Sequence, residues 1–135
     1  MTREEQPPLL IADDDPDIRT LLGRVVERAG YSVISAADRD EGLDLALEHH
    51  PCLAIIDVML AGQSGLDLVR EFRDLAATRG MPIILVSALV KDADVRRGLQ
   101  AGADRYLAKP FSPRVLVRCI DELLGAVRKE ATWTT

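Results

Sequence analysis

Residues 52–69 read CLAIIDVMLAGQSGLDLV and contain a complete strand–loop–helix unit. The run that precedes Asp57 is short and wholly apolar, which is typical of a strand buried on both faces of a parallel sheet. Beyond the loop, apolar residues recur at the spacing of one helix face, and we expect a helix over 64–78. Asp57 therefore stands at the carboxyl end of a predicted central strand.

The same alternation of a short apolar run and a longer amphipathic run occurs five times along the 135 residues. The apolar runs predict strands at 8–12, 31–35, 52–56, 82–86 and 105–108. The amphipathic runs predict a first helix that begins after an Asp15 N-cap and ends at Gly30, and further helices at 38–49, 64–78, 91–101 and 112–129.

Strictly alternating strands and helices are typical of an α/β fold in which right-handed crossovers place helices on both faces of a parallel sheet. We predict a doubly wound (βα)5 flavodoxin-like fold, with a five-stranded parallel sheet in the order 2-1-3-4-5. The domain is expected over residues 8–129, between a flexible N-terminal tail at 1–7 and a C-terminal tail at 130–135.

The composition, 47% hydrophobic and 29% charged, is that of a globular domain. A net charge of -5 does not favour nucleic acid binding, because phosphate contacts need clustered cations. No apolar run approaches the roughly 20 residues that cross a bilayer, and the first residues lack the apolar core of a signal peptide. Cys52 and Cys119 are too few for a disulfide framework. We expect a cytoplasmic location, with no direct binding to nucleic acid or membrane.

Polar residues follow four of the five predicted strands. Asp13 and Asp14 come after the first, Asp57 after the third, Ser87 after the fourth and Lys109 after the fifth. Ligands of doubly wound sheets bind beyond the carboxyl ends of the strands. Any one of these residues alone would be an ordinary cap, turn or surface residue. Their joint placement predicts a site, where the three carboxylates are expected to converge.

Three carboxylates in one crevice repel one another unless a cation lies between them. Oxygen ligands favour a hard ion such as Mg²⁺. An aspartate carboxylate can attack phosphorus and form an aspartyl phosphate. Mg²⁺ and Lys109 would neutralise the charge of the phosphoryl group, and Ser87 could donate a hydrogen bond to it. These residues therefore predict phosphoryl transfer to an aspartate.

Four segments resemble the response-regulator receiver family, in order and at family spacing. LLIADDDPDIR at 9–19 is similar to its acidic-pair segment and LAIIDVMLAGQSGLDLV at 53–69 to its phosphoacceptor segment. PIILVSAL at 82–89 is similar to its switch-hydroxyl segment and AGADRYLAKPF at 101–111 to its Lys-Pro segment. The resemblance implies a two-component signalling module, phosphorylated by a histidine kinase or a histidine phosphotransfer protein. Such a module catalyses only its own phosphorylation and dephosphorylation, so it is not an enzyme that turns over an outside metabolite.

The resemblance also implies roles for the matching residues. Asp57 would be the phosphoacceptor. Asp14 and Asp57 would bind Mg²⁺ directly and Asp13 through water, and the Met59 backbone carbonyl would complete the protein ligands. Lys109 would pair with the phosphoryl group.

Two further residues would carry the conformational response. Ser87 would be the switch hydroxyl, and Tyr106 the aromatic side chain that swings inward as Ser87 moves. The Lys109–Pro110 bond would be cis, which is energetically accessible for an X-Pro bond. Ala61 stands where the family usually has proline, so we expect a looser loop there.

The resemblance places the output on the face of the fourth helix, fifth strand and fifth helix, towards a partner or an output domain that the sequence does not identify. Winged-helix relatives often form homodimers through that face by charge pairs. Lys91, Asp104 and Arg118 are compatible with such a homodimer, whereas Arg105 stands where an acid is usual. The oligomeric state stays open.

Three other functions fit parts of the pattern. An FMN-binding flavodoxin would share the fold, but the acidic loop at 13–15 would repel a phosphate that has no metal. An aspartyl phosphatase would need its nucleophile after the first strand and an inserted cap, and no insertion is long enough. A degenerate receiver that binds a partner without phosphorylation would normally have lost an acid or the lysine, and all are present here.

Overall fold

The computed structural model describes residues 6–133, with side chains described over 6–125. The strands are β1 Leu9–Ala12, β2 Val33–Ala36, β3 Leu53–Asp57, β4 Met59–Leu60, β5 Gln63–Ser64, β6 Ile83–Ser87 and β7 Arg105–Ala108. The helices are α1 Pro16–Arg28, α2 Arg39–His49, α3 Gly65–Asp74, α4 Asp92–Ala101 and α5 Pro113–Trp133. Residues 1–5 and 134–135, which belong to the predicted tails, lie outside the described residues. In the part described, no helix is both long and apolar enough to cross a membrane.

Five parallel strands form the main sheet, in the order β2-β1-β3-β6-β7. Since β6 and β7 are the fourth and fifth predicted strands, the flavodoxin-like order 2-1-3-4-5 is confirmed. Every residue of β3 is buried, as expected of the central strand, and β7 is the more polar edge strand. Because all five strands run parallel, their carboxyl ends meet at one edge of the sheet.

Each face of the sheet has its own apolar core. Side chains alternate along a strand, so Ala54 and Ile56 of β3 face one core and Leu53 and Ile55 face the other. Helices α2, α3 and α4 cover the first core, and α1 and α5 cover the second. A one-residue slip would move each side chain of such a strand into the opposite core, where it does not match the packing, and would draw the polar residue at the strand end inward. The double burial therefore fixes where the strands end.

Side chains cap the starts of α1, α2 and α3. Asp15, Asp38 and Ser64 each accept a hydrogen bond from a backbone N–H in the first turn of the helix that follows. The cap that the sequence predicts at Asp15 is confirmed. Helix α4 differs, because Lys91 at its N-cap position makes no side-chain cap hydrogen bond.

Helix α3 ends at Asp74, four residues before the predicted end at 78. The Thr78 hydroxyl donates a 2.7 Å hydrogen bond to the Phe72 carbonyl, one of the carbonyls that a helix end leaves without a partner. Thr78 is buried there, and Leu75 is already extended. The chain therefore turns back instead of continuing the helix. At the other end of the chain, α5 continues to Trp133, past the predicted end at 129.

The loop after β3 is a regular hairpin, and a looser loop at Ala61 than in other family members stays a prediction. Strands β4 and β5 pair antiparallel, and Ala61 and Gly62 form the two-residue turn between them. Their φ angles, 51° and 76°, are both positive, as a type I′ hairpin turn requires. The right-handed twist of paired strands favours this turn, even though alanine is a poor residue for it.

Candidate functional site

The strand ends bring the predicted site residues to one edge of the sheet. Asp57 is the last residue of β3 and Ser87 the last of β6, while Asp13 and Lys109 directly follow β1 and β7. Asp13, Asp57 and Ser87 are only 1%, 6% and 1% exposed. Buried polar groups are costly unless neighbours satisfy them, so their partners show how the site works.

Asp57 is held at both carboxylate oxygens. Its Oδ1 accepts a 2.8 Å hydrogen bond from the Met59 backbone N–H, and its Oδ2 accepts one from the Lys109 ammonium. Gly65 packs directly against the Asp57 backbone, because a Cβ at residue 65 would lie 2.1 Å from the Asp57 carbonyl oxygen. Gly65 was not among the residues predicted for the site. A glycine beside the Ser64 cap, where a better helix former would be expected, was the available signal.

Lys109 lies between two carboxylates. Its ammonium contacts Asp57 and stands 3.6 Å from Asp13 Oδ2, and its backbone N–H donates a 2.8 Å hydrogen bond to the Ser87 carbonyl. Burial alone would lower the pKa of Lys109, but the hydrogen bond and attraction of Asp57, helped by Asp13, raise it overall. The ammonium is therefore charged at neutral pH. The predicted cis Lys109–Pro110 bond is confirmed.

Asp13 is the least satisfied group of the site. Its Oδ1 accepts a 2.9 Å hydrogen bond from Asp15 N–H, but its buried Oδ2 has no hydrogen-bond partner. Burial, and then the neighbouring Asp57, raise the pKa of Asp13 to about 6. A buried carboxylate oxygen without a hydrogen bond, beside a second carboxylate, fits a divalent cation, because oxygen ligands and negative charge are what Mg²⁺ prefers.

Asp14 does not join the other two carboxylates. It is exposed, and among the side chains described, residues 6–125, no three His, Cys, Asp or Glu side chains are close enough together to hold a metal ion. The expected cluster of three acids is therefore a pair, Asp13 and Asp57. The chain bends at Asp14, shortly after β1, which leaves Asp13 buried and Asp14 exposed.

Two hydrogen bonds link Ser87 to Tyr106 through the backbone of Leu89. The Ser87 hydroxyl accepts a 2.9 Å hydrogen bond from Leu89 N–H, and the Tyr106 hydroxyl donates a 2.6 Å hydrogen bond to the Leu89 carbonyl. Sequence reasoning missed the part played by Leu89, because its contribution is a backbone group that no residue type marks.

The charges on the face of α4, β7 and α5 are partly engaged within the domain. Asp104 accepts hydrogen bonds from Arg73 at 3.0 Å and from the Ile83 N–H at 2.8 Å. Arg105 lies 4.0 Å from Glu122. Asp104, a residue predicted to be compatible with charge pairing in a homodimer, already has two partners inside the fold.

The sequence matches the family model of the response regulator receiver domain over residues 9–121. The chain is a response-regulator receiver domain. It is similar to the transcriptional regulatory protein AfsQ1 of Streptomyces coelicolor, with 41% identity over 93% of this chain and 55% of that protein. The receiver domain spans about half the length of the transcriptional regulators it matches.

Solved structures agree with this assignment. A CheY-like receiver domain protein from Methanospirillum hungatei superposes with a TM-score of 0.86 at 33% identity, covering 93% of this chain and 99% of that one. The receiver domain of the sensor histidine kinase PA1611 from Pseudomonas aeruginosa gives 0.81 at 29% identity, covering 89% and 98%. That structure has a magnesium ion coordinated in its active-site cleft.

Proposed function

We propose that this receiver domain accepts a phosphoryl group on Asp57, in the cytoplasm, from a histidine kinase or a histidine phosphotransfer protein. The observation that carries the proposal is the Lys109 ammonium, which contacts Asp57 at the end of the central strand and stands 3.6 Å from Asp13. A fixed cation beside a carboxylate is what phosphoryl transfer to that carboxylate needs, because the transferred group brings negative charge.

The transfer forms one bond and breaks one bond. A carboxylate oxygen of Asp57 attacks the phosphorus of a phosphohistidine, the P–N bond breaks, and its electron pair leaves with the imidazole nitrogen. The Met59 N–H holds one Asp57 oxygen and so orients the carboxylate. Lys109 then pairs with a phosphoryl oxygen, and the Ser87 hydroxyl turns from Leu89 to donate to another.

The proposed magnesium ligands are Asp13, through water, together with Asp14, Asp57 and the Met59 backbone carbonyl. When bound, Mg²⁺ supplies positive charge that offsets the carboxylates and the phosphoryl oxygens. The buried Asp13 oxygen that lacks a hydrogen bond supports this assignment. Asp14, although exposed, directly follows Asp13 and could reach the same ion with a change of rotamer.

We also propose that the face of α4, β7 and α5 carries the signal to an output domain, a partner protein or a second copy of the chain. Movement of the Ser87 hydroxyl takes away the acceptor of Leu89 N–H, and Leu89 is the residue that Tyr106 holds from the other side. The receiver domain itself would act only in its own phosphorylation and dephosphorylation.

Intact mass after incubation with acetyl phosphate and Mg²⁺ tests the proposal. We expect a gain of one phosphoryl group in the wild type and none in Asp57→Asn, in which the amide is not a nucleophile. The gain should also disappear in EDTA. An unchanged wild-type mass would instead favour a receiver that binds its partner without phosphorylation.

A further inference from the structure

Gly98 lies buried in the interior of α4, directly against the ring of Tyr106. A Cβ at this position would lie 2.8 Å from Tyr106 Cδ2, 2.9 Å from its Cε2 and 2.9 Å from Leu85 Cδ1. Real Cβ atoms essentially never come so close to other heavy atoms. The ring therefore occupies a place that exists only because residue 98 has no side chain.

Helix propensity does not explain the glycine at position 98. Glycine in a helix interior is unfavourable relative to alanine, and α4 already begins without a side-chain cap at Lys91. A glycine that weakens an already weak helix is expected where another group must approach the backbone closely. The Tyr106 ring is that group.

The ring position that Gly98 allows also determines where the Tyr106 hydroxyl lies. Tyr106 donates its 2.6 Å hydrogen bond to the Leu89 carbonyl, and the Leu89 N–H donates to Ser87. Leu85, the second side chain next to Gly98, is fully buried in the core and has little room to move. A methyl group on residue 98 would displace the half-buried Tyr106 ring, and the hydroxyl would lose its hydrogen bond to the Leu89 carbonyl.

We propose that Gly98 is a positioning residue for Tyr106, and that it permits the ring position through which the Ser87 loop and β7 are coupled. The part of this inference that concerns signalling rests on the proposed phosphorylation of Asp57. The part that concerns the ring position depends only on the packing of α4, and the two can be tested separately.

The test uses the two tyrosines of the chain, labelled as 3-fluorotyrosine and followed by fluorine NMR. Tyr31 is 4% exposed and serves as the buried reference. We expect a soluble gadolinium chelate to broaden the Tyr106 signal of Gly98→Ala much more than that of the wild type. Gly23→Ala is the matched control, since Gly23 also lies inside a helix but its Cβ would meet nothing closer than 3.9 Å.

Acetyl phosphate and Mg²⁺ are then added, with the intact mass read from the same samples. We expect the Tyr106 signal to shift in the wild type and Gly23→Ala, and to stay unchanged in Gly98→Ala even though all three gain a phosphoryl group. If no sample gains mass, the proposed phosphorylation fails, while the comparison without acetyl phosphate still decides the role of Gly98. A Tyr106 signal in Gly98→Ala as protected and as responsive as in the wild type would overturn the inference.

A double-mutant cycle covers the case in which Gly98→Ala does not fold. In a Tyr106→Ala background the ring is gone and Leu85 has room to shift, so Gly98→Ala should be tolerated as well as Gly23→Ala is. Urea unfolding of Tyr106→Ala with and without Gly98→Ala measures this directly, and where Gly98→Ala folds by itself the four proteins together give the coupling. A Gly98→Ala effect of the same size with and without the Tyr106 ring would contradict the proposed contact.

Discussion

Asp13 has a buried carboxylate whose ionisation opposes folding when no metal is bound. Its pKa in the folded protein is about 6, against an ordinary value of 3.8, chiefly because burial disfavours the charged form. The folded state therefore binds the proton more tightly than the unfolded state. This contribution to stability is fully present below pH 3.8 and is lost as the pH rises through about 6.

We therefore predict that Asp13→Asn stabilises the metal-free domain by about 1 kcal/mol near neutral pH and much less near pH 4. Urea unfolding in EDTA across this pH range measures the difference. Asp44→Asn is the matched control, because Asp44 is exposed on α2 and should change stability equally little at both ends. A constant difference between Asp13→Asn and the wild type would show that the Asp13 charge is not what opposes folding.

Ala61 is a second residue whose environment disfavours it. Its φ of 51° lies in the left-handed region, which costs a residue with a Cβ roughly 1–2 kcal/mol. Asn before Gly is a preferred pair for a type I′ turn, so we predict that Ala61→Asn stabilises the domain by about 0.5 kcal/mol or more. Ala61→Pro should destabilise it by more than about 1 kcal/mol, since proline fixes φ near −65°. Equal urea midpoints for the two variants would argue against the turn described here.

At the scale of elements, the sequence predicts what local patterns control and misses what distant contacts control. The apolar run at 52–56 places β3, Leu53–Asp57, to within one residue, because burial on both faces leaves no polar position in the strand before Asp57. The end of α3 could not be predicted, since it depends on the Thr78 hydroxyl reaching the Phe72 carbonyl. The strands of the hairpin, Met59–Leu60 and Gln63–Ser64, have two residues each and show no periodicity to detect.

In the site, too, the sequence predicts the residues that local patterns position and misses what distant contacts determine. Asp57, Asp13 and Lys109 were found because strand ends determine their positions. The exposure of Asp14 depends on how the chain bends after β1, which the residue types do not determine. Tyr106 was identified through the family resemblance alone, since a tyrosine in an edge strand has no distinctive pattern.

Arg73 joins the end of α3 to the segment between α4 and β7. Its guanidinium donates hydrogen bonds to the carbonyls of Gly102, Arg79 and Met81 and to the Asp104 carboxylate, at 2.6–3.0 Å. The side chain is only 21% exposed. Arg73→Ala would leave several of these acceptors without a donor, and we predict a loss of about 3 kcal/mol in the free energy of unfolding.

Arg70 provides the matched control on the same helix. It pairs with Asp67 at 3.0 Å, but the two side chains are 54% and 50% exposed. Such surface pairs contribute little, so Arg70→Ala should cost less than about 0.5 kcal/mol by urea unfolding. Arg73→Lys should recover only part of the stability, because an ammonium cannot reproduce the planar fork of the guanidinium. Similar losses for the two alanine variants would show that Arg73 is not a structural link.

At the scale of the whole molecule, the site lies at the junction of the two cores. Asp13 follows β1 and Asp57 ends β3, and these adjacent strands have side chains in both cores. Moving either carboxylate from its place requires disturbing the centre of the sheet rather than a peripheral loop. A ligand bound there is therefore expected to stabilise the domain as one cooperative unit.

We predict that Mg²⁺ raises the free energy of unfolding of the entire domain, by about 2.7 kcal/mol when its concentration is 100 times its dissociation constant. The most protected amides of β1, β3 and β6 exchange only on global unfolding, so their hydrogen exchange should slow by the corresponding factor of about 100. Asp57→Asn, which removes a ligand charge, should lose most of the effect, and the exposed-site control Asp44→Asn should keep it. The effect should also weaken below about pH 6, as Asp13 takes up a proton that competes with the cation. If slowing were confined to amides around the loops and absent from β3, the ion would be bound at the surface rather than by the buried carboxylates of the two central strands.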